Sequence, residues 1–137
     1  MPPGSRFIDS NVFIYVLMND PTFAARALKI LSGIEEGKET GWTSTLALAQ
    51  VFSHLKTRGR YDVVDRFYDY LEGSPIGVTE TTLDDLAEAR KIREEQGQSW
   101  SAWDDLVLAA QMKRLGVDEI YSNDADFGKM KGTKRIF

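Results

Sequence analysis

Arg6-Phe7-Ile8-Asp9-Ser10-Asn11, near the start of the chain, is a short apolar run that stops on an acid, and residues 12–18 then continue apolar without a breaker. This reads as a strand at about 6–9 followed by a helix from about 11 to 18, closed by the turn signal Asn19-Asp20-Pro21. The same grammar returns near the other end, where Glu119-Ile120-Tyr121-Ser122-Asn123-Asp124 again passes from apolar residues to an acid. Between them strand-like and helix-like stretches alternate, which predicts an α/β fold on a parallel sheet. In an open parallel sheet the strand ends that run into the following helices share one crevice, and ligands bind there. If both strands belong to one sheet, Asp9 and Asp124 face each other across it.

The intervening stretches fill in the pattern. Phe23, Ala27, Ile30, Leu31 and Ile34 recur at three- and four-residue spacing, so 22–36 is an amphipathic helix that stops at Gly37. Trp42-Thr43-Ser44 is a second short strand, and 45–57 is a helix with Leu48, Val51, Phe52 and Leu55 as its core stripe. A partner helix covers 61–71 and a third strand 75–79. Thr82 opens the next helix, with Asp84 and Asp85 in its first turn. Ser101 is the expected cap of a helix over 102–115 that carries Asp104 and Asp105 at its start and Leu106, Leu108, Ala109 and Met112 as its core. Strands at 119–122 and 134–137 complete the set.

At 137 residues the chain fits one domain, 1–137, and its 42% hydrophobic and 28% charged residues suit a folded protein. It has no cysteine and one histidine, which excludes disulfides and makes a zinc site a poor expectation, so any metal would be bound through oxygen. The apolar run 12–18 is too short to cross a bilayer and the opening Met1-Pro2-Pro3-Gly4-Ser5 has no signal-like apolar region. A cytoplasmic protein with no membrane contact is therefore expected. The net charge of −4 argues against broad coating of nucleic acid, yet Lys129, Lys131, Lys134 and Arg135 make the tail locally basic.

Asp9, Asp104 and Asp124 each have a simple reading as a helix cap or a first-turn charge. Capping does not explain why strand ends and a helix start that should converge all carry an acid. The residues around them resemble the PIN domain family, and within it the VapC-type toxin ribonucleases of VapBC toxin–antitoxin pairs. The resemblance lies in Phe7-Ile8-Asp9-Ser10-Asn11-Val12, Ser44-Thr45-Leu46-Ala47-Leu48-Ala49-Gln50-Val51, Trp103-Asp104-Asp105-Leu106-Val107-Leu108-Ala109 and Tyr121-Ser122-Asn123-Asp124-Ala125-Asp126-Phe127, in that order. It implies a three-layer α/β/α sandwich with a central four- or five-stranded parallel sheet, and an acidic cluster that binds Mg²⁺ or Mn²⁺ to hydrolyse RNA. It implies further that the protein forms a homodimer and is held inactive by a cognate antitoxin, for which the helices from 11 to 36 and from 45 to 71 are the expected seat.

By position the family's acids fall on Asp9, Gln50, Asp104 and Asp124. Gln50 is a departure, since the family pattern has glutamate there, and an amide offers a cation only its carbonyl oxygen. Asp9 and Asp104 are then the expected main metal ligands, with Asp124 holding a second ion or ordering water. Asn11, Ser44, Ser122 and Asp126 are the expected supporting or substrate-binding residues. Asp105, about 100° round a helix from Asp104, is expected to face elsewhere. Trp100 and Trp103 flank the acids, with base stacking weighed against packing in the core or a dimer. Two functions stand side by side: a metal-dependent endoribonuclease, or a PIN-like domain weakened at Gln50 that binds RNA or protein. Phosphoryl transfer through a haloacid-dehalogenase-like aspartyl intermediate needs an acid two residues after the first, where Asn11 stands.

Overall fold

The computed structural model describes residues 4–137, so the opening Met1-Pro2-Pro3 lies outside it. Five parallel strands form one sheet: β1 (Ser5–Ile8), β2 (Thr40–Ser44), β3 (Gly77–Thr79), β4 (Glu119–Tyr121) and β5 (Lys134–Arg135), in the order β3-β2-β1-β4-β5. Six α-helices connect them: α1 (Ser10–Leu17), α2 (Ala24–Glu35), α3 (Thr45–Thr57), α4 (Val64–Gly73), α5 (Leu83–Gln96) and α6 (Trp103–Leu115).

Side-chain alternation along the strands builds the two interior layers. Phe7 and Ile120 turn to the face covered by α5 and α6, where they meet Leu106, Leu108, Met112 and Phe127. Ile8 and Tyr121 turn to the opposite face and pack with Val12, Phe13, Leu31, Val51, Leu55 and Phe67 from α1 to α4. The result is the expected three-layer α/β/α sandwich, with five strands. Tight packing reaches the sheet edge, where a Cβ on Gly77 would come within 2.7 Å of the Trp42 ring on the neighbouring strand, so only glycine fits that register.

The topology places the crevice. From β1 the chain steps outward to β2 and β3, then crosses back to lay β4 on the other side of β1. The switch in winding direction therefore falls between β1 and β4, the point where open α/β sheets leave a cleft beyond the strand ends. Phe7 pairs with Ile120 and Ile8 with Tyr121, so the two strands end level and the residues that follow them, Asp9 and Ser122, emerge side by side.

Several boundaries differ from the sequence expectation. The helix foreseen over 61–71 begins as one 3-10 turn, Tyr61–Val63, before α4. The last strand is only two residues long, and β3 starts two residues late: Pro75 has no N–H for a ladder, and the Ile76 N–H donates to Ser74 Oγ at 3.2 Å. Ser101 does not cap α6. Ser99 instead accepts the Ser101 N–H and opens a 3-10 turn, Trp100–Ala102, that leads into α6 at Trp103.

Candidate functional site

Asp9 leaves β1 in extended backbone and caps α1, its Oδ1 accepting the Ser10 N–H at 2.7 Å. Its Oδ2 accepts the Ser122 hydroxyl at 2.7 Å, and the residue is only 4% exposed. Ser122 Oγ in turn accepts the Asp124 N–H at 3.0 Å. Asn11 lies across the same gap, its Nδ2 donating to Ser122 Oγ at 3.4 Å and its Oδ1 accepting the Asn123 N–H at 3.4 Å. Asn11 and Ser122 thus fasten the end of β1 to the end of β4 and fix which way Asp9 points. Asp124 caps the 3-10 turn Ala125–Lys129 by accepting the Asp126 N–H at 2.9 Å.

The fourth strand end and the start of α6 supply the rest of the cluster. Among the described residues, Asp105, Asp124 and Asp126 bring carboxylate oxygens within 4.8 Å of one another. Asp105 is buried, and it does not face elsewhere. The apolar face of α6 explains the correction: Leu108, Ala109 and Met112 stand three, four and seven residues after Asp105, so the stripe that packs on the sheet carries Asp105 inward. Asp104, one step round, is exposed at the rim, and its Oδ2 accepts the Gln50 amide at 2.9 Å. Both acids line a polar cleft of about 400 Å³ together with Asp9, Asn11, Gln50, Asp124 and Asp126. Ser44 is not at this cleft. It is fully buried and caps α3, accepting the Ala47 N–H at 3.2 Å.

The electrostatics follow from crowding acids in a dry place. Burial pushes the Asp9 carboxyl above its usual range, against the hydrogen bonds from Ser122 and Ser10, and the Asp124 charge adds to the rise. Asp105 is pushed up to about 10, first by burial, then by a hydrogen bond to Asp124 and by the charges of Asp9, Asp124 and Asp126. Asp124 moves the other way, lowered by that shared hydrogen bond and by nearby Arg135 and Lys129. A proton or a cation held between Asp105 and Asp124 therefore relieves the crowding. The donor set is all oxygen, carboxylate-rich and partly buried, which suits a hard divalent ion such as Mg²⁺ or Mn²⁺.

Comparison with known proteins agrees with this architecture. The structure of VapC20 from Mycobacterium tuberculosis, described as a sarcin-ricin loop cleaving toxin, superposes with a TM-score of 0.74 at 16% identity over 89% of this chain and 92% of that one. VapBC2 from Rickettsia felis, solved on a DNA fragment from its promoter, gives 0.70 at 14% identity over 96% and 97% of the two chains. FitAcB from Neisseria gonorrhoeae gives 0.62 at 18% identity over 96% of each. No curated protein sequence matches the chain. At these identities the structures testify to the fold, and the sequence testifies separately: the profile of the PIN domain matches residues 6–132. With nearly the whole chain inside that match, and acids gathered where β1, β4 and α6 meet, the protein belongs to the PIN domain family.

Proposed function

We propose that the protein is a divalent-metal-dependent endoribonuclease that hydrolyses RNA phosphodiester bonds, with Asp9, Asp105 and Asp124 as the core of the metal site and Asp126 beside them. The observation that carries this is the Asp105 carboxyl, buried among three other acids where only a proton or a cation relieves the charge. A hard divalent ion held there supplies positive charge to the scissile phosphate and to the water that attacks it. The protein's own part is positional. Ser122 and Asn11 hold Asp9 in one rotamer, the Asp124 cap fixes that carboxylate against Asp105, and the sheet end keeps the group rigid.

Asp104 completes the arrangement from the rim. Where the family pattern has a glutamate, Gln50 instead donates to Asp104 and holds its carboxylate at the cleft. The charge absent at position 50 is thus present one hydrogen bond away, which favours an active enzyme over a weakened one. Gln50→Glu should change the cleavage rate less than about threefold, whereas Gln50→Ala, which frees Asp104, should lower it about tenfold. Initial rates on one RNA substrate measure both. A gain above about a hundredfold in Gln50→Glu would instead identify a weakened domain.

The toxin reading adds a partner. Between α1, α2 and α4 lies an apolar groove of about 430 Å³ lined by Phe13, Val16, Leu17, Leu31, Phe67 and Tyr70. This groove is the proposed seat of an antitoxin segment, in keeping with neighbours that are toxin–antitoxin complexes. A homodimer and a cytoplasmic setting belong to the same proposal; among the described residues no helix is long and apolar enough to cross a membrane. The test of the enzyme is direct: purified protein with structured RNA and Mn²⁺ or Mg²⁺ should cleave, and chelation should stop it. Cleavage that persists unchanged in Asp9→Asn would sink the assignment.

A further inference from the structure

Trp100 is the least polar feature of a polar place. It lies in the 3-10 turn before α6 and is 58% exposed, while its neighbours around the acidic cleft are Asp, Asn, Ser and Gln apart from Trp103. Core packing is therefore not its role. Its ring is nevertheless held. The Arg93 guanidinium lies over it, 4.0 Å from the ring centroid, and Arg93 is itself anchored by donating to the Gln98 carbonyl at 3.2 Å. Trp103 meets the ring at a 46° tilt, 5.5 Å away between centroids, and is rooted in the core on its other side. A large aromatic that is fixed on its supports and open to water is pre-set for a flat partner.

The turn that carries Trp100 is also tied to a basic segment. Gln98 Nε2 donates to the Lys129 carbonyl at 3.3 Å, and Gln96 both donates to the Lys131 carbonyl at 3.2 Å and accepts its N–H at 3.0 Å. Lys129 and Lys131 are exposed, and Lys129 lies near enough to Asp124 to lower its pKa. The acids and the aromatic thus line one cleft, with Lys129 beside it, on a chain whose net charge is −4.

We propose that Trp100, buttressed by Arg93, is the stacking platform for an unpaired nucleobase next to the scissile phosphate, with Lys129 along the path of a flanking phosphate. The inference rests on the nuclease reading and deepens it: the substrate is RNA unpaired at the cut site. Stacking needs a free π-face, which a base inside a duplex does not offer. An apolar protein surface is the poorer occupant, because the cleft around Trp100 gives it almost nothing apolar to bury.

The experiment is a cycle of two deletions read by fluorescence anisotropy in Ca²⁺, with a labelled single-stranded oligoribonucleotide, the same strand with abasic sites, and its duplex. Trp100→Ala should weaken binding of the intact single strand about tenfold, Trp100→Phe about threefold or less, and neither should matter for the abasic strand. The kcat/KM for the single strand should fall with the binding, through KM rather than kcat. Equal binding of single strand and duplex, or a Trp100→Ala effect that is the same on intact and abasic strands, overturns the platform while leaving the nuclease intact. Loss of a dimer in Trp100→Ala by light scattering would also overturn it, by making Trp100 a contact between copies. A wild-type protein that binds Mn²⁺ but neither binds nor cleaves RNA overturns the nuclease reading and the platform together.

Discussion

Asp105→Asn should lower kcat/KM for RNA cleavage by about a thousandfold, roughly 4 kcal/mol of lost transition-state stabilisation, and abolish stabilisation of the fold by Mn²⁺. Asp105 shares a hydrogen bond with Asp124 and feels the charges of Asp9, Asp124 and Asp126, so it is the acid at which a cation relieves most repulsion. An amide there removes one ligand and one charge while keeping the shape. Asp104→Asn, at the exposed rim, should cost only about tenfold.

The same residue contributes to the pH dependence of the metal-free protein, in the same direction as Asp9. Folded Asp105 titrates at about 10 against an ordinary value of 3.8, so between those values the folded state binds a proton that the unfolded state has released. Unfolding then gives up a proton, and stability falls as pH rises, with a limiting slope of about 1.4 kcal/mol per pH unit for this group alone. Without metal the melting temperature should drop from pH 5 to pH 8, and Asp105→Asn should flatten that drop and melt higher than the wild type at pH 8. Mn²⁺ replaces the proton, so its stabilisation of the wild type should grow with pH, reaching about 2.7 kcal/mol at a hundred times its Kd. Scanning calorimetry in chelator and in Mn²⁺ measures all of this. A variant with the wild-type slope would contradict the placement of Asp105.

Asp85→Ala should destabilise the fold by about 3 kcal/mol without touching the cleft. Asp85 is 2% exposed and accepts four hydrogen bonds from three residues. It accepts Arg114 Nε at 2.8 Å and Nη2 at 2.9 Å, the Thr82 N–H at 3.0 Å and the Gln111 amide at 3.3 Å. The Thr82 bond is half of a capping box that starts α5, and the Arg114 and Gln111 bonds tie α5 to α6. Burial alone would raise its pKa, but Arg114, Thr82 and Gln111 outweigh it and the carboxyl lies below its usual value. Its stabilisation is therefore complete above about pH 4 and fades as pH falls through the lowered folded pKa. The variant should melt about 10 °C lower at neutral pH. Asp85→Asn, which keeps the shape, should lose about half as much. An Asp85→Ala protein within 1 °C of the wild type would show the network to be ornamental.

The fold was legible because its local signals agreed. The apolar runs ending at Asp9 and Asp124 mark two strands that prove adjacent and level, and α3 occupies the predicted 45–57. What escaped depends on single-residue phase. One step along a helix is about 100°, so of two neighbouring acids one turns inward and the other stays at the rim, and the acids themselves do not say which. The cap at Ser99 and the intervening 3-10 turn carry no strong pattern, whereas the spacing of Leu108, Ala109 and Met112 already pointed to Asp105. Ser44 was misread for a related reason: a hydroxyl at a strand end serves a cleft or caps the next helix, and only the Ala47 N–H above it decides. The Gln50 to Asp104 bond spans 54 positions, a pairing no local pattern contains.

Anomalous diffraction from crystals soaked in Mn²⁺ shows which side chains hold the ion. A peak is expected in the cleft about 2.0–2.3 Å from carboxylate oxygens of Asp105 and Asp124, with Asp9 in or next to the coordination shell. A well-soaked crystal with no peak there, or with the ion at Asp104 and Gln50 and Asp105 left outside its shell, would contradict this metal site.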